Sequence, residues 1–138
     1  MYRFKTQRKI EFADTDMGGI VHFSRYVVFM ETAEHQFLDA IGTSVHLELN
    51  GEPIGWPRVS VACEYLGPAR FGDTLDIEVV VRRKGRKSMS YDFTFSRDGK
   101  ELARGQMTSV CCVLDPSCIR SIEIPAFIAD QIDEPPEE

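Results

Sequence analysis

The sequence predicts an α+β fold in which one long amphipathic helix lies across a curved antiparallel sheet. Three observations carry this. One stretch has apolar residues at three- and four-residue steps, the signature of a helix with one buried face. Several segments after it alternate apolar and polar residues with a period of two, as half-buried strands do. The order along the chain is strand, long helix, then a run of strands. A sheet with one apolar face must cover it, and a single buried helix is the economical cover.

The first strand falls within residues 2–12, where Tyr2, Phe4, Thr6, Arg8, Ile10 and Phe12 share one parity. Ala13-Asp14-Thr15-Asp16-Met17-Gly18-Gly19 then breaks the alternation with turn chemistry. The helix follows, with Tyr26, Met30, Ala33, Phe37 and Ile41 on one stripe and Phe29 and Leu38 widening it. Ser24 stands where an N-cap belongs and Gly42 where a helix stops. Residues 43–57, with Asn50-Gly51, Pro53 and Pro57, read as irregular.

Four strands come next. Val59, Val61, Cys63 and Tyr65 mark one; Leu75, Ile77, Val79 and Val81 a second; Met89, Tyr91, Phe93 and Phe95 a third. Asp98-Gly99 reads as a tight hairpin turn into the fourth, which runs over residues 101–114 and ends at Asp115-Pro116. A short helical piece is expected around residues 126–132. The division expected is a single domain over residues 1–132 and an acidic, proline-rich, disordered tail over 133–138.

The net charge of −6 argues against a nucleic-acid binder held by phosphate contacts. No apolar run approaches a membrane span, and the N-terminal residues lack the apolar block of a signal peptide, so a cytoplasmic protein without a membrane partner is expected. Cys63, Cys111, Cys112 and Cys118 form no C-x-x-C pair and do not combine with His22, His35 or His46 at zinc-ligand spacing. They read as reduced packing thiols, and no metal is expected.

Two features carry candidate chemistry. Asp14 and Asp16 lie two residues apart in a loop, followed by Gly18-Gly19 and then a helix start. A carboxylate beside the free N–H groups of a helix N-terminus can act as base or nucleophile next to an oxyanion site. Turn and capping roles are the common use of aspartate, and spacing alone favours them. The second feature is Arg82-Arg83-Lys84-Gly85-Arg86-Lys87, conspicuous in an acidic chain. It suits a phosphorylated ligand, or equally a solvated bend that discourages edge pairing.

The stretch Asp14-Thr15-Asp16-Met17-Gly18-Gly19-Ile20-Val21, with Tyr26, Phe29 and Glu31 after it, resembles the signature of the 4-hydroxybenzoyl-CoA thioesterase family, which includes bacterial short-chain acyl-CoA thioesterases. The resemblance continues through Leu66-Gly67-Pro68-Ala69-Arg70-Phe71-Gly72-Asp73 and Arg86-Lys87-Ser88. It implies a hotdog fold, a homodimer or homotetramer, and active sites at a subunit interface. It implies hydrolysis of an acyl-CoA, with Asp16 as nucleophile or general base and backbone N–H groups around His22 and Phe23 polarising the carbonyl. Gly18, Gly19, Arg86, Lys87 and Ser88 become candidate substrate-binding residues, and coenzyme A belongs to the substrate, with no separate cofactor. His22-Phe23 departs from the aromatic pair that many relatives carry there, which leaves His22 as acid–base participant or pocket wall. Glu31 is the reserve catalytic residue, because some hotdog thioesterases use a helix-borne glutamate. The alternatives are a non-catalytic acyl-CoA-binding subunit and a hotdog dehydratase or hydratase.

Overall fold

The computed structural model describes residues 1–137, so that of the expected tail Glu138 lies outside the described residues. The elements are β1 (Arg3–Lys9), a single 3-10 turn (Phe12–Asp14), α1 (Arg25–Ala40), β2 (Leu47–Leu49), β3 (Glu52–Gly55) and β4 (Arg58–Tyr65). They continue with β5 (Thr74–Lys84), β6 (Ser88–Arg97), β7 (Lys100–Val110), β8 (Cys112–Asp115), β9 (Cys118–Ser121) and α2 (Ala126–Ala129). The class is α+β with antiparallel sheets. A five-stranded sheet has the order β1-β5-β6-β7-β4, and a smaller one the order β2-β3-β8-β9.

On β5 and β6 the period-two reading translates directly into burial. Leu75, Ile77, Val79 and Val81 of β5 and Met89, Tyr91, Phe93 and Phe95 of β6 are all 3% exposed or less, on the face toward α1. From the helix, Tyr26, Phe29, Met30, Ala33, Phe37 and Leu38 meet them. Each such large side chain, taken out of water, contributes roughly 1.5–3 kcal/mol. Gly105 on β7 marks the closest approach: a Cβ there would lie 2.4 Å from Met30 Cε.

The end of α1 is built as its sequence indicates. Gly42 N–H donates to the Asp39 carbonyl (3.1 Å) and Thr43 N–H to the Leu38 carbonyl (3.0 Å), the paired bonds of a Schellman stop. The start is different. Ser24 precedes the helix but makes no side-chain capping bond; its Oγ lies 2.7 Å from His22 Nδ1.

Among the departures from the sequence reading, two concern how the strands divide, and β4, read as half-buried, instead exposes Val59, Val61 and Tyr65. Residues 43–57 contain the β2–β3 hairpin rather than irregular chain, turning at Asn50 (φ 52°) and Gly51 (φ 77°). Asp98 (φ 50°) and Gly99 (φ 80°) make the same kind of turn between β6 and β7. Two successive positive φ values match the twist of the flanking strands. The expected strand over 101–114 divides at Cys111, because the chain changes sheets there: β7 pairs with β4 and β6, whereas β8 pairs with β3 and β9. All four cysteines are free thiols. No helix among the described residues is long and apolar enough to cross a membrane.

Candidate active site

The loop between β1 and α1 holds the two aspartates in opposite environments. Asp14 is fully buried. Its Oδ1 takes Arg25 Nε at 2.8 Å, its Oδ2 takes the Glu11 N–H at 2.8 Å, and Arg8 Nη2 stands 3.4 Å away. Burial raises the Asp14 carboxyl, but the Glu11 N–H and the two guanidinium groups outweigh it and hold the group below the ordinary aspartate value.

Asp16, by contrast, is exposed. A bridge between Thr15 and Val21 closes the loop that carries it. Inside, Asp16 N–H donates to the Ile20 carbonyl (2.9 Å), Gly19 N–H to the Asp16 carbonyl (3.0 Å), and Gly18 N–H to Asp16 Oδ1 (2.8 Å). Gly19 turns the chain with φ 78°. The paired glycines therefore shape the loop and supply one N–H to the carboxylate.

Asp16 borders two recesses. One is walled by Ile20, Val21, Phe23, Tyr26, Tyr65 and residues 66–69. The other is formed by Phe12, Thr15, Met17, Gly19 and Phe71, with the Phe12 and Phe71 rings edge to face at 6.1 Å. Tyr65 Oη donates to the Phe23 carbonyl (2.9 Å), and its ring meets Tyr26 at 5.5 Å, so the edge of the sheet and the helix start share the first recess. Of the aromatic residues, Phe23 and Phe71 line a recess, whereas Phe29 and Trp56 are buried at 0% and 2%.

Of the two expected carbonyl-polarising N–H groups, that of His22 already donates to the Asp14 carbonyl (2.9 Å). The Phe23 N–H has no acceptor among the described residues. The His22 ring lies against Phe23 at 4.5 Å and against Ser24, and lines neither recess. Glu31 also lines neither; it is exposed on α1, where its charge acts on Glu34 and His35.

Arg86, Lys87 and Ser88 are not brought to Asp16 within the protomer. Lys9, just before the site loop, pairs with Thr74 at the start of β5, and the basic turn follows Lys84 at its other end. Eleven residues of strand separate the two by roughly 30 Å. The basic run is also partly engaged: Arg82 pairs with Asp92 (3.3 Å), Arg86 with Glu123 (3.4 Å), and Lys84 Nζ donates to the Ile132 carbonyl (2.8 Å). The residues that sequence reading gave no site role are Tyr65, Tyr26 and the 66–69 segment. Val21 N–H donating to the Ala69 carbonyl (2.8 Å) fastens that segment to the site loop, and its Gly-Pro step was the available signal.

Residues 10–132 match the family model of the thioesterase-like superfamily. The chain is 29% identical over 135 residues to a 4-hydroxybenzoyl-CoA thioesterase of Pseudomonas sp. (strain CBS-3), covering 87% of this chain and 90% of that protein. It is 27% identical over 112 residues to a 1,4-dihydroxy-2-naphthoyl-CoA hydrolase of Synechococcus elongatus, covering 80% and 82%. The crystal structure of a 1,4-dihydroxy-2-naphthoyl-CoA thioesterase from Synechocystis has the same fold, with a TM-score of 0.82, 24% identity, and coverage of 94% and 95%.

Proposed function

The chain belongs to the thioesterase-like superfamily, and from that premise we propose that it hydrolyses an acyl-CoA to a free acid and coenzyme A at Asp16. The observation that carries the reading is an exposed carboxylate at the junction of two recesses, just ahead of a 16-residue helix, with Phe23, whose N–H has no acceptor among the described residues, lining the same recess. Asp16 attacks the thioester carbonyl to give a mixed anhydride that water then opens, or it takes the proton of an attacking water. In both routes negative charge develops on the carbonyl oxygen, where a free N–H and the positive end of the helix are stabilising. The sulfur leaves as the coenzyme A thiol. The recess of Phe23, Tyr26 and Tyr65 suits a flat, apolar acyl group, consistent with the aryl-CoA names of the relatives. The reading carries a cytoplasmic setting, a single domain over residues 1–132 built as a curved sheet about the long helix, and no cofactor beyond the coenzyme A of the substrate.

The basic turn enters the same reading only through a second copy. β4 is an outer strand of the five-stranded sheet, and Val59, Val61 and Tyr65 on it are 63%, 47% and 46% exposed. Antiparallel pairing of two β4 edges about a two-fold axis would run one sheet into the next. It would also turn the partner's basic turn toward the Asp16 end of this protomer. We therefore propose a homodimer, alone or within a tetramer, in which each site draws its phosphate-binding charge from the neighbour.

The test is thiol release from a panel of acyl-CoAs, including hydroxybenzoyl and dihydroxynaphthoyl thioesters, by wild type and Asp16→Asn. Turnover on one or more members, reduced about a hundredfold or more in the variant with KM little changed, is expected. Equal turnover in the two proteins would remove Asp16 from the chemistry. Coenzyme A binding without turnover on any member would favour the non-catalytic binding subunit.

A further inference from the structure

Asp14 and Asp16 divide the work of the loop. Among the described residues, Asp16 is held by bonds inside the loop itself, to Gly18, Gly19 and Ile20. Nothing in those bonds fixes where the loop stands relative to α1. Asp14, two residues earlier, is tied to elements on both sides of it. Upstream, Arg8 at the end of β1 approaches both carboxylate oxygens at 3.4 and 3.5 Å, with its guanidinium 5.0 Å from the centre of the Phe29 ring. Downstream, Arg25 is the first residue of α1 and places both Nε and Nη2 2.8 Å from Asp14 Oδ1. The Asp14 carbonyl meanwhile takes the His22 N–H at 2.9 Å, next to Phe23, which lines the same recess as Asp16.

Resting on the reading of Asp16 as the reacting carboxylate, we propose that Asp14 is a positioning residue that sets the distance between Asp16 and the start of α1. The argument is geometric. A charged group with no solvent exposure, bonded to a strand end, a turn and a helix start, has few ways to move. Its neighbours Asp16 and Phe23 must hold a reacting carbonyl between them. Attack requires the reacting atoms at near-contact distance, and a displacement of about 1 Å can cost on the order of a hundredfold in rate. Ionisation of Asp14 is what the two arginines stabilise, and its lowered carboxyl titration is consistent with a permanently charged anchor.

The experiment is a cycle of Asp14→Asn, Asp16→Asn and the double variant, each followed by thiol release and by unfolding in urea. Asp14→Asn should lower kcat about tenfold to a hundredfold with KM within about twofold. In the Asp16→Asn background the same change should leave the residual turnover unaltered, because no reacting carboxylate remains to position. A role confined to stability would instead lower activity by the same factor in both backgrounds. If Asp14→Asn does not fold, Arg25→Lys decides: it keeps the charge but loses the two-nitrogen contact to Oδ1, and wild-type kcat in that variant overturns the proposal. Undiminished turnover in Asp16→Asn would instead sink the functional reading itself. Loss in Asp16→Asn together with wild-type kcat in folded Asp14→Asn would sink only the positioning role.

Discussion

At the scale of single residues, burial decides what each aspartate of the loop can do. Asp14 has a carboxyl titration below the ordinary value and Asp16 faces the recesses. The unfolded chain therefore binds a proton at Asp14 at a pH where the folded chain does not, and stability rises with pH through that range. The contribution is complete above the unfolded value of about 4 and is lost as pH falls through the folded value. Urea unfolding of wild type and Asp14→Asn from about pH 6 to pH 2.5 is expected to give a difference that is constant above pH 4 and shrinks below it. A difference that stays level into acid would show that the charge of Asp14 is not what holds the loop. The sequence put both aspartates in one candidate site, and that much was legible from their spacing before a helix. Spacing alone did not separate them, and it was the family resemblance that singled out Asp16; the physical separation comes from Arg8 and Arg25, which approach Asp14 only once β1 and α1 are in place.

At the scale of elements, the apolar stripe of α1 conceals a charge. Glu34 follows Met30 by four residues and so falls on the same face, 1% exposed. It takes an ion pair from Arg58 of β4 and a hydrogen bond from Ser109 Oγ of β7 (2.9 Å). Burial pushes its carboxyl up, with Arg58 and Ser109 pulling in the other direction without prevailing. Glu34→Ala takes the carboxylate partner from Arg58, which keeps its bond to the Trp56 carbonyl, and from Ser109 Oγ, and should cost about 3 kcal/mol in urea unfolding. Replacing Glu34 by Leu together with Arg58 by Met should come close to wild-type stability, since two desolvation penalties vanish with the pair. An equal loss in the single and double variants would mean that packing volume rather than the stranded charge sets the cost. Sequence periodicity found α1 and the long strands because their burial repeats along the chain. It passed over Glu34 because one polar residue barely disturbs a stripe. It missed the small sheet for a related reason: β2 and β3 are three and four residues long, too short for a period to register. Asn50-Gly51 nevertheless carried the same turn signal as Asp98-Gly99.

At the scale of the whole molecule, several of the exposed apolar residues fall on β4, on α1 and at the first recess. Val59, Val61 and Tyr65 on β4, Val27 and Val28 on α1, and Phe23 and Leu66 at the first recess are all exposed. An outer strand that presents apolar side chains and unpaired backbone groups is a template for another strand. A two-fold copy satisfies it without leaving a new edge for further growth. Val61→Lys, which places a charge in the middle of that edge, is expected to give monomers by sedimentation and to abolish turnover, because in the proposed dimer each site would lose its neighbour's basic turn. Subunit mixing supplies the sharper measurement. Asp16→Asn protomers keep the basic turn, and Arg86→Glu/Lys87→Glu protomers keep the reacting carboxylate; each homodimer alone should be inactive. When the two are mixed and allowed to exchange, half of the dimers are hybrids, and each hybrid pairs one intact Asp16 with the intact turn of its neighbour. About a quarter of the wild-type sites should then return. Recovery at that level assigns the turn to the partner. Absence of recovery under demonstrated exchange would mean that the turn acts within its own protomer, whereas an Arg86→Glu/Lys87→Glu homodimer that is active before mixing would mean that the turn binds no substrate.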